Sequence, residues 1–236
     1  MPMSLRRVGI LGGMGPEATI LLMQKIVDAV DAKDDADHVP LIVDQNSQVP
    51  SRIAHLLEGG DANPGPCLSA MAVRLEAAGA EAIAMPCNTA HHYAEAICSA
   101  VSVPFLNMID LSVQRVVKLQ RSRGVVGVLA SPAVRKLGLL DAALSRIGME
   151  AIYADDEVAL LATIKRIKSA GVTMTSREVI STASQQLLKR GAMVQLIACS
   201  EFSLLADSCA SDVLAVDTLD CLVEAIVDFS IGRDHS

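Results

Sequence analysis

The chain has 236 residues, of which 51% are hydrophobic and 2% aromatic, with no Trp and a formal net charge of −7. This length suffices for one large domain or two small lobes, whose core has to be built from aliphatic side chains and Met. The scarcity of aromatic rings and of dense Lys/Arg stripes argues against a nucleic-acid partner, and no run of ~18 apolar residues predicts a membrane span.

Short apolar runs alternate with longer amphipathic stretches along the chain. The runs predict buried parallel strands, because they are 4–6 residues long and rich in Val, Ile and Leu. In chain order, these strands are 7–11, 40–44, 81–85, 103–106, 125–129, 150–153, 194–198 and 213–216. The predicted helices are 16–32, 65–78, 90–100, 109–122, 133–147, 156–170, 175–190 and 217–230. This alternation predicts an α/β fold of parallel sheets covered by helices.

The two halves of the chain read as distant copies of each other. From Gly9 to Cys87 is 78 positions (87 − 9), and from Gly127 to Cys199 is 72 (199 − 127). We therefore predict two similar lobes, each a parallel sheet flanked by helices, related by internal pseudo-symmetry. Residues 1–112 with 213–236 are predicted to form the N-terminal lobe and residues 113–212 the second lobe, with the copy boundary near 110–124.

The six cysteines form no C-x-x-C pair and no zinc-like spacing, which favours a reducing cytoplasm and no metal. Cys87 and Cys199 each end a predicted strand and precede a helix, where backbone amides and the helix dipole favour a thiolate. The side chains of Asn88, Thr89 and Ser200 follow them and can donate hydrogen bonds to a carboxylate. If the halves fold alike and face each other, the thiols flank one cleft. Such an arrangement suits proton removal from one face of a carbon and proton delivery to the other.

Further candidates follow other predicted strands, at the sheet edge where α/β folds bind ligands. The loop Gly12-Gly13-Met14-Gly15-Pro16-Glu17 favours carboxylate over dinucleotide binding, because its glycines do not give G-x-G-x-x-G. The loop 46–52 is either a polar surface loop or one that aims its Arg at a carboxylate. Ser131 is either a carboxylate donor or a helix cap. The pair His91-His92 chelates one ion poorly, since adjacent helical residues point about 100° apart.

At these residues the chain resembles the aspartate/glutamate racemase family, whose members work without pyridoxal phosphate. Residues Gly12 to Thr19 look like the amino-terminal loop of that family. The sequence Pro86-Cys87-Asn88-Thr89-Ala90-His91 is similar to its first cysteine motif, and Cys199-Ser200-Glu201 is similar to its second, usually Cys-Thr-Glu. The resemblance to this family runs over nearly the whole chain. The chain resembles the glutamate racemases of cell-wall synthesis less closely.

The resemblance implies roles for individual residues. Cys87 and Cys199 would be the two acid/base residues. Arg52 ends a segment similar to the family's Asn-Pro-x-Ile-Pro-Asp-Arg and would hold the side-chain carboxylate of the substrate. On this ground we prefer a carboxylate-binding loop at 46–52 to a polar surface loop. Lys168, by itself a solvated charge, lies in a segment similar to Ile-Lys-Ala-Gly, whose Lys contacts the same carboxylate. The remaining substrate-binding residues expected are Met14, Asn88, Thr89, Ser131 and Ser200.

We therefore expect a cofactor-independent amino-acid racemase that acts on aspartate, with glutamate second. Ser51 replaces the usual Asp before Arg52, which leaves the preferred dicarboxylic acid open. The resemblance also implies a homodimer that binds a small amino acid with a side-chain carboxylate. The cysteine pattern predicts a cytoplasmic protein, and the lack of a long apolar run predicts no membrane partner. Two alternatives stay open: a maleate-type cis/trans isomerase with covalent cysteine catalysis, and a non-enzymatic carboxylate- or nucleotide-binding protein.

Overall fold

The structure, a computed structural model, describes residues 5–120 and 124–233. In the first half the elements are β1 (Val8–Gly12), α1 (Pro16–Asp28), β2 (Leu41–Gln45), α2 (Arg52–Leu57), α3 (Pro64–Ala77), β3 (Ala82–Ala84), α4 (Ala94–Cys98), β4 (Phe105–Leu106) and α5 (Met108–Leu119). In the second they are β5 (Val125–Ala130), α6 (Pro132–Leu137), α7 (Leu139–Arg146), β6 (Glu150–Tyr153), α8 (Glu157–Ala170), α9 (Met174–Lys189), β7 (Val194–Ala198), β8 (Leu214–Asp217) and α10 (Thr218–Ser230). Short 3-10 helices lie at Asp35–Asp37, Thr89–Tyr93 and Phe202–Ser208.

Two parallel sheets organise the described part of the chain. One has the strand order β2-β1-β3-β4 and the other β6-β5-β7-β8, so the second sheet repeats the topology of the first. All of these strand pairings are parallel. Strands β1 and β7 are buried along their whole length, as expected when helices cover both faces. The predicted fold class, two similar α/β lobes, is confirmed.

Contacts divide the described chain into two units. One contains the residues up to Met108 together with those from Leu219 onward, and the other contains Ile109–Thr218. The chain therefore crosses between units after Met108 and again after Thr218. The predicted copy boundary near 110–124 runs through residues 121–123, which lie outside the described residues.

The last strand corrects one prediction. We expected the segment beginning at 213 to return to the first lobe, but β8 pairs with β7 in the second sheet, with Leu196 beside Val216. This pairing satisfies backbone groups that β7 would otherwise present at an open edge. Thr218 Oγ1 then donates to Ile197 O at 2.9 Å, which holds the second crossing against β7. The return to the first unit begins with α10, whose Phe229 carbonyl accepts from Arg6 Nε at 2.7 Å.

The helix that precedes each cysteine strand ends in the same way in both halves. Ala80 N donates to Leu75 O at 3.0 Å, and Ala192 N donates to Leu187 O at 3.1 Å. Each of these second-half residues lies 112 positions after its first-half counterpart, the same offset that separates the two cysteines (199 − 87 = 112). The helix end, the strand and the cysteine therefore form one unit that occurs twice.

A strand glycine makes each of these units possible. A Cβ at Gly9 would lie 2.9 Å from Ala80 Cβ, and a Cβ at Gly127 would lie 3.1 Å from Ala192 Cβ. Real side chains rarely tolerate such short approaches, so the two glycines let a helix end pack closely against the central strand of its own sheet.

The helices depart from prediction at a few places. The helix predicted at 133–147 breaks at Gly138, whose φ of +62° ends α6 and starts α7. The helix predicted at 90–100 begins as a 3-10 helix, and α2 was not predicted. Within residues 5–120 and 124–233, none of the helices combines the length and apolar character needed to cross a membrane.

Candidate functional site

Cys87 opens a tight turn at the carboxyl end of β3. Its carbonyl accepts from Ala90 N at 3.1 Å, which starts the 3-10 helix. The residue is only 7% exposed and belongs to a buried apolar cluster that also includes Met14, Val49 and Tyr93. Asn88 is buried and Thr89 half-buried in the same turn. The structure thus brings Met14, Asn88 and Thr89 close to the first cysteine within one unit.

His91 fixes this turn from inside. Its Nδ1 lies 2.9 Å from the carbonyl oxygen of Cys87, which can only accept, so Nδ1 carries the proton. Its Nε2 then accepts from Met108 N at 3.0 Å. The bond that Nε2 accepts needs the neutral ring, and burial lowers the pKa of His91 to about 4. Across the described ranges, no group of three or more His, Cys, Asp or Glu side chains is placed to hold a metal ion.

Because His91 is neutral when folded, the protein is expected to lose stability in mild acid. The unfolded histidine has a pKa near 6.5 and the folded one about 4, so the unfolded chain binds more protons between these values. Stability from this group is complete above pH 6.5 and declines as pH falls towards 4, by up to about 3 kcal/mol. Urea unfolding at pH 4.5 and 7.5 measures the loss. His91→Gln, which keeps one donor and one acceptor without titrating, should lose less than the wild type, whereas exposed His92→Gln should match it. An equal loss in His91→Gln and the wild type would contradict the assignment.

The loop after β2 carries Arg52 at the first position of α2. Ser51, which departs from the family pattern, caps this helix by accepting from Ala54 N at 3.2 Å. Arg52 Nη1 donates to Pro50 O at 3.1 Å and to Val49 O at 3.4 Å. Arg52 Nε is buried and has no hydrogen-bond partner among the described residues. The carboxylate-binding role of Arg52 stays a prediction.

The glycine loop after β1 is shaped by close backbone contacts. Gly13 has φ +92°, and a Cβ there would lie 2.3 Å from Asn46 O, so this position requires glycine. Gly13 N donates to Thr19 Oγ1 at 3.0 Å. That amide is therefore used within the loop, and carboxylate binding by the loop and by Met14 stays a prediction.

Cys199 opens the equivalent turn at the carboxyl end of β7. Its carbonyl accepts from Phe202 N at 2.8 Å, the counterpart of the bond from Ala90 to Cys87. Cys199 Sγ donates to Glu201 Oε2 at 3.1 Å. The other carboxylate oxygen, Oε1, forms an ion pair at 3.1 Å with Lys168 Nζ. Cys199 and Glu201 are each 7% exposed, so the thiol and the carboxylate interact largely away from water. The Lys168 side chain, which pairs with the carboxylate, is 39% exposed.

These surroundings keep Cys199 protonated. Burial raises the pKa of the Cys199 thiol well above its usual value, and the charge and hydrogen bond of Glu201 raise it further, while Lys168 opposes them. The expectation that position at a helix start favours the thiolate is therefore wrong for Cys199. Desolvation and a neighbouring carboxylate outweigh the amides of a short 3-10 turn.

The other predicted residues of the second unit are Ser200 and Ser131, which lie at strand ends, and Lys168, which lies in α8. Ser200 is buried directly after Cys199. Ser131 follows β5, and its Oγ accepts from Val134 N at 3.4 Å as the cap of α6, one of its two predicted roles. Lys168, near the end of α8, meets Glu201. Glu201, the third residue of the second cysteine motif, had no predicted role, although a carboxylate two residues from a thiol was the available signal.

Similar proteins were found by sequence and by structure. The family model for Asp/Glu/Hydantoin racemase matches residues 11–226. The broad specificity amino-acid racemase RacX of Bacillus subtilis (strain 168) is 25% identical over 234 residues, covering 93% of this chain and 96% of that protein. The structure of Picrophilus torridus aspartate racemase superimposes with a TM-score of 0.85 at 26% identity, covering 97% of this chain and 95% of that one.

A more distant structure shares the fold. A glutamate racemase isoform from Bacillus anthracis has a TM-score of 0.62 at 14% identity, covering 96% of this chain and 81% of the other. Since the family model spans most of the chain and the sequence motifs agree with it, the chain belongs to the Asp/Glu/Hydantoin racemase family.

Proposed function

We propose that this protein interconverts L- and D-aspartate, with glutamate as a second substrate, by proton transfer between two thiols and the α-carbon. The observation that carries the proposal is the hydrogen bond from Cys199 Sγ to Glu201 Oε2 at 3.1 Å, which holds a proton on a buried sulfur. The aspartate racemase of Picrophilus torridus, similar over 97% of this chain, supports the choice of substrate. The homodimer and the cytoplasmic location stay predictions of the sequence.

In the proposed reaction, the Cys87 thiolate removes the α-proton while the Cys199 thiol protonates the opposite face. The breaking C–H bond leaves its electron pair on the α-carbon, delocalised into the α-carboxylate, and the Cys199 S–H bond supplies the proton that forms the new C–H bond. Hydrogen bonds from Asn88, Thr89 and Ser200 stabilise the charge on that carboxylate. After the reaction, Cys87 is a thiol and Cys199 is a thiolate. This is the protonation state that reacts with the other enantiomer.

Lys168 and Glu201 take defined parts in this scheme. When Cys199 gives up its proton, a negative sulfur forms next to the Glu201 carboxylate, which is unfavourable in a buried site. Lys168, paired with the same carboxylate, offsets part of that repulsion. Arg52 holds the side-chain carboxylate of the substrate in the first unit, where a guanidinium can grip it through two donors.

A chiral assay of the purified protein in deuterated water tests the function. We expect each enantiomer of aspartate to yield the other, with one deuterium at the α-carbon of the product. Glutamate should react more slowly, and amino acids without a side-chain carboxylate least. Isomerisation of maleate without racemisation of any amino acid would instead favour the cis/trans isomerase, and tight binding without turnover would favour a binding protein.

A further inference from the structure

Two hydrogen-bond donors near Cys87 in the first unit, Arg52 Nε and the Tyr93 hydroxyl, are buried without a partner among the described residues. Tyr93 is 7% exposed and lies in the same apolar cluster as Cys87. A buried donor that makes no hydrogen bond costs free energy, because the group has lost its water. Two such donors in one neighbourhood therefore need an explanation.

The two donors lie in adjoining parts of the fold. His55 follows Arg52 by one turn of α2, and its ring centroid lies 6.2 Å from that of Tyr93. Val49, whose carbonyl accepts from Arg52, packs in the same cluster as Tyr93. Burial raises the pKa of Tyr93, the positive charge of Arg52 lowers it, and Cys87 raises it. The phenol is thus a protonated donor within electrostatic reach of both site residues.

We propose that the Tyr93 hydroxyl and Arg52 Nε together donate to the side-chain carboxylate of the substrate, so that Tyr93 is a specificity-determining residue. The inference rests on the proposed function and deepens it. A carboxylate has two oxygens and can accept both bonds at once, whereas a carboxamide side chain offers one oxygen and brings donors of its own. The pair would therefore favour aspartate over asparagine. Since both atoms are covered, binding requires a side chain to move, and half-buried Arg52 is able to turn.

The chain suits a direct spectroscopic test, because it contains two tyrosines and no Trp. The other tyrosine, Tyr153, donates through its hydroxyl to Asp141 at 2.6 Å in the second unit. In Tyr153→Phe, tyrosine fluorescence comes from Tyr93 alone. We expect saturating succinate, a dicarboxylate that cannot react, to change this emission, while butyrate, with one carboxylate, changes it far less.

Calorimetry with the same two probes measures what the hydroxyl contributes. Tyr93→Phe keeps the ring and loses one hydrogen bond to a charged group, so succinate should bind roughly ten- to a hundredfold more weakly. Tyr153→Phe, the matched control, should bind it like the wild type. In the racemase assay, Tyr93→Phe should raise KM for aspartate by a similar factor and change kcat much less, a split that a general loss of packing would not produce.

Equal succinate affinity in Tyr93→Phe and the wild type would overturn the inference, as would unchanged Tyr93 emission in Tyr153→Phe or no saturable succinate binding by the wild type. These outcomes are separable from the fate of the proposed function. If Tyr93→Phe racemises aspartate with an unaltered KM, the proposed function stands and the proposed role of Tyr93 is wrong. Succinate binding that depends on Tyr93, in a protein that racemises nothing, rejects the function and keeps the dicarboxylate site.

Discussion

Replacing either Cys87 or Cys199 by alanine is expected to lower kcat/KM for aspartate racemisation roughly a thousandfold, the usual contribution of a positioned acid or base. In the proposed mechanism, each enantiomer needs one sulfur to accept the α-proton and the other to return one, so neither thiol can act for both faces. A chiral assay of both single variants and of the double variant measures the loss. Cys98→Ala, which removes an exposed thiol at the end of α4, is the matched control and should keep full activity.

Deuterium exchange separates the roles of the two thiols. With one thiol left, a variant can still remove and return the α-proton of the enantiomer that faces that sulfur, so it should exchange this enantiomer with solvent without inverting it. Cys87→Ala and Cys199→Ala should therefore exchange opposite enantiomers. Persistent racemisation by the double variant would rule out the two-thiol mechanism.

Glu201→Gln is expected to shift Cys199 towards the thiolate. The substitution removes the carboxylate charge that raises the Cys199 pKa, yet leaves an amide oxygen able to accept from the thiol. The pH at which Cys199 becomes half-reactive towards iodoacetamide, followed by peptide mass spectrometry, should fall. Activity should decline roughly tenfold, because a charge-assisted hydrogen bond that orients the thiol becomes a neutral one.

Lys168→Met is expected to shift the Cys199 pKa in the opposite direction to Glu201→Gln. Removing the ammonium leaves the Glu201 charge uncompensated, so the Cys199 pKa should rise and the alkylation midpoint should move to higher pH. Lys165→Met, on an exposed part of the same helix, should leave the midpoint unchanged. Midpoints that move in the same direction in Glu201→Gln and Lys168→Met would show that the ion pair does not control the thiol.

The sequence predicted the strands better than the helices, for a physical reason. A short apolar run in an α/β sequence is seldom anything other than a buried parallel strand. The strand predicted at 194–198 is found with the predicted bounds. The helix predicted at 133–147 is amphipathic throughout, and the position of Gly138 alone carried the signal for its break. Strand order was harder: β8 is an apolar run that fits either sheet, and only its backbone pairing with β7 decides.

For the candidate site as well, the sequence predicted the positions of the residues better than their surroundings. Position at a strand end selected Cys87 and Cys199, since the carboxyl ends of parallel strands gather at one edge of a sheet. The environment of each thiol was beyond prediction, because the pKa of Cys199 depends on Glu201 being buried beside it. His91 was weighed as a metal ligand, whereas its place in the turn makes it a neutral bridge between two backbone groups.

Both chain crossings are hydrogen-bonded to residues around one of the two proposed catalytic cysteines. Met108 is bonded through the imidazole of His91 to the carbonyl of Cys87, and Thr218 is bonded to Ile197, two residues before Cys199. A change in the main chain at either crossing is therefore expected to disturb the turn or the strand that carries a cysteine. Substitutions in these connecting segments are therefore expected to change activity by displacing one of the proposed catalytic thiols.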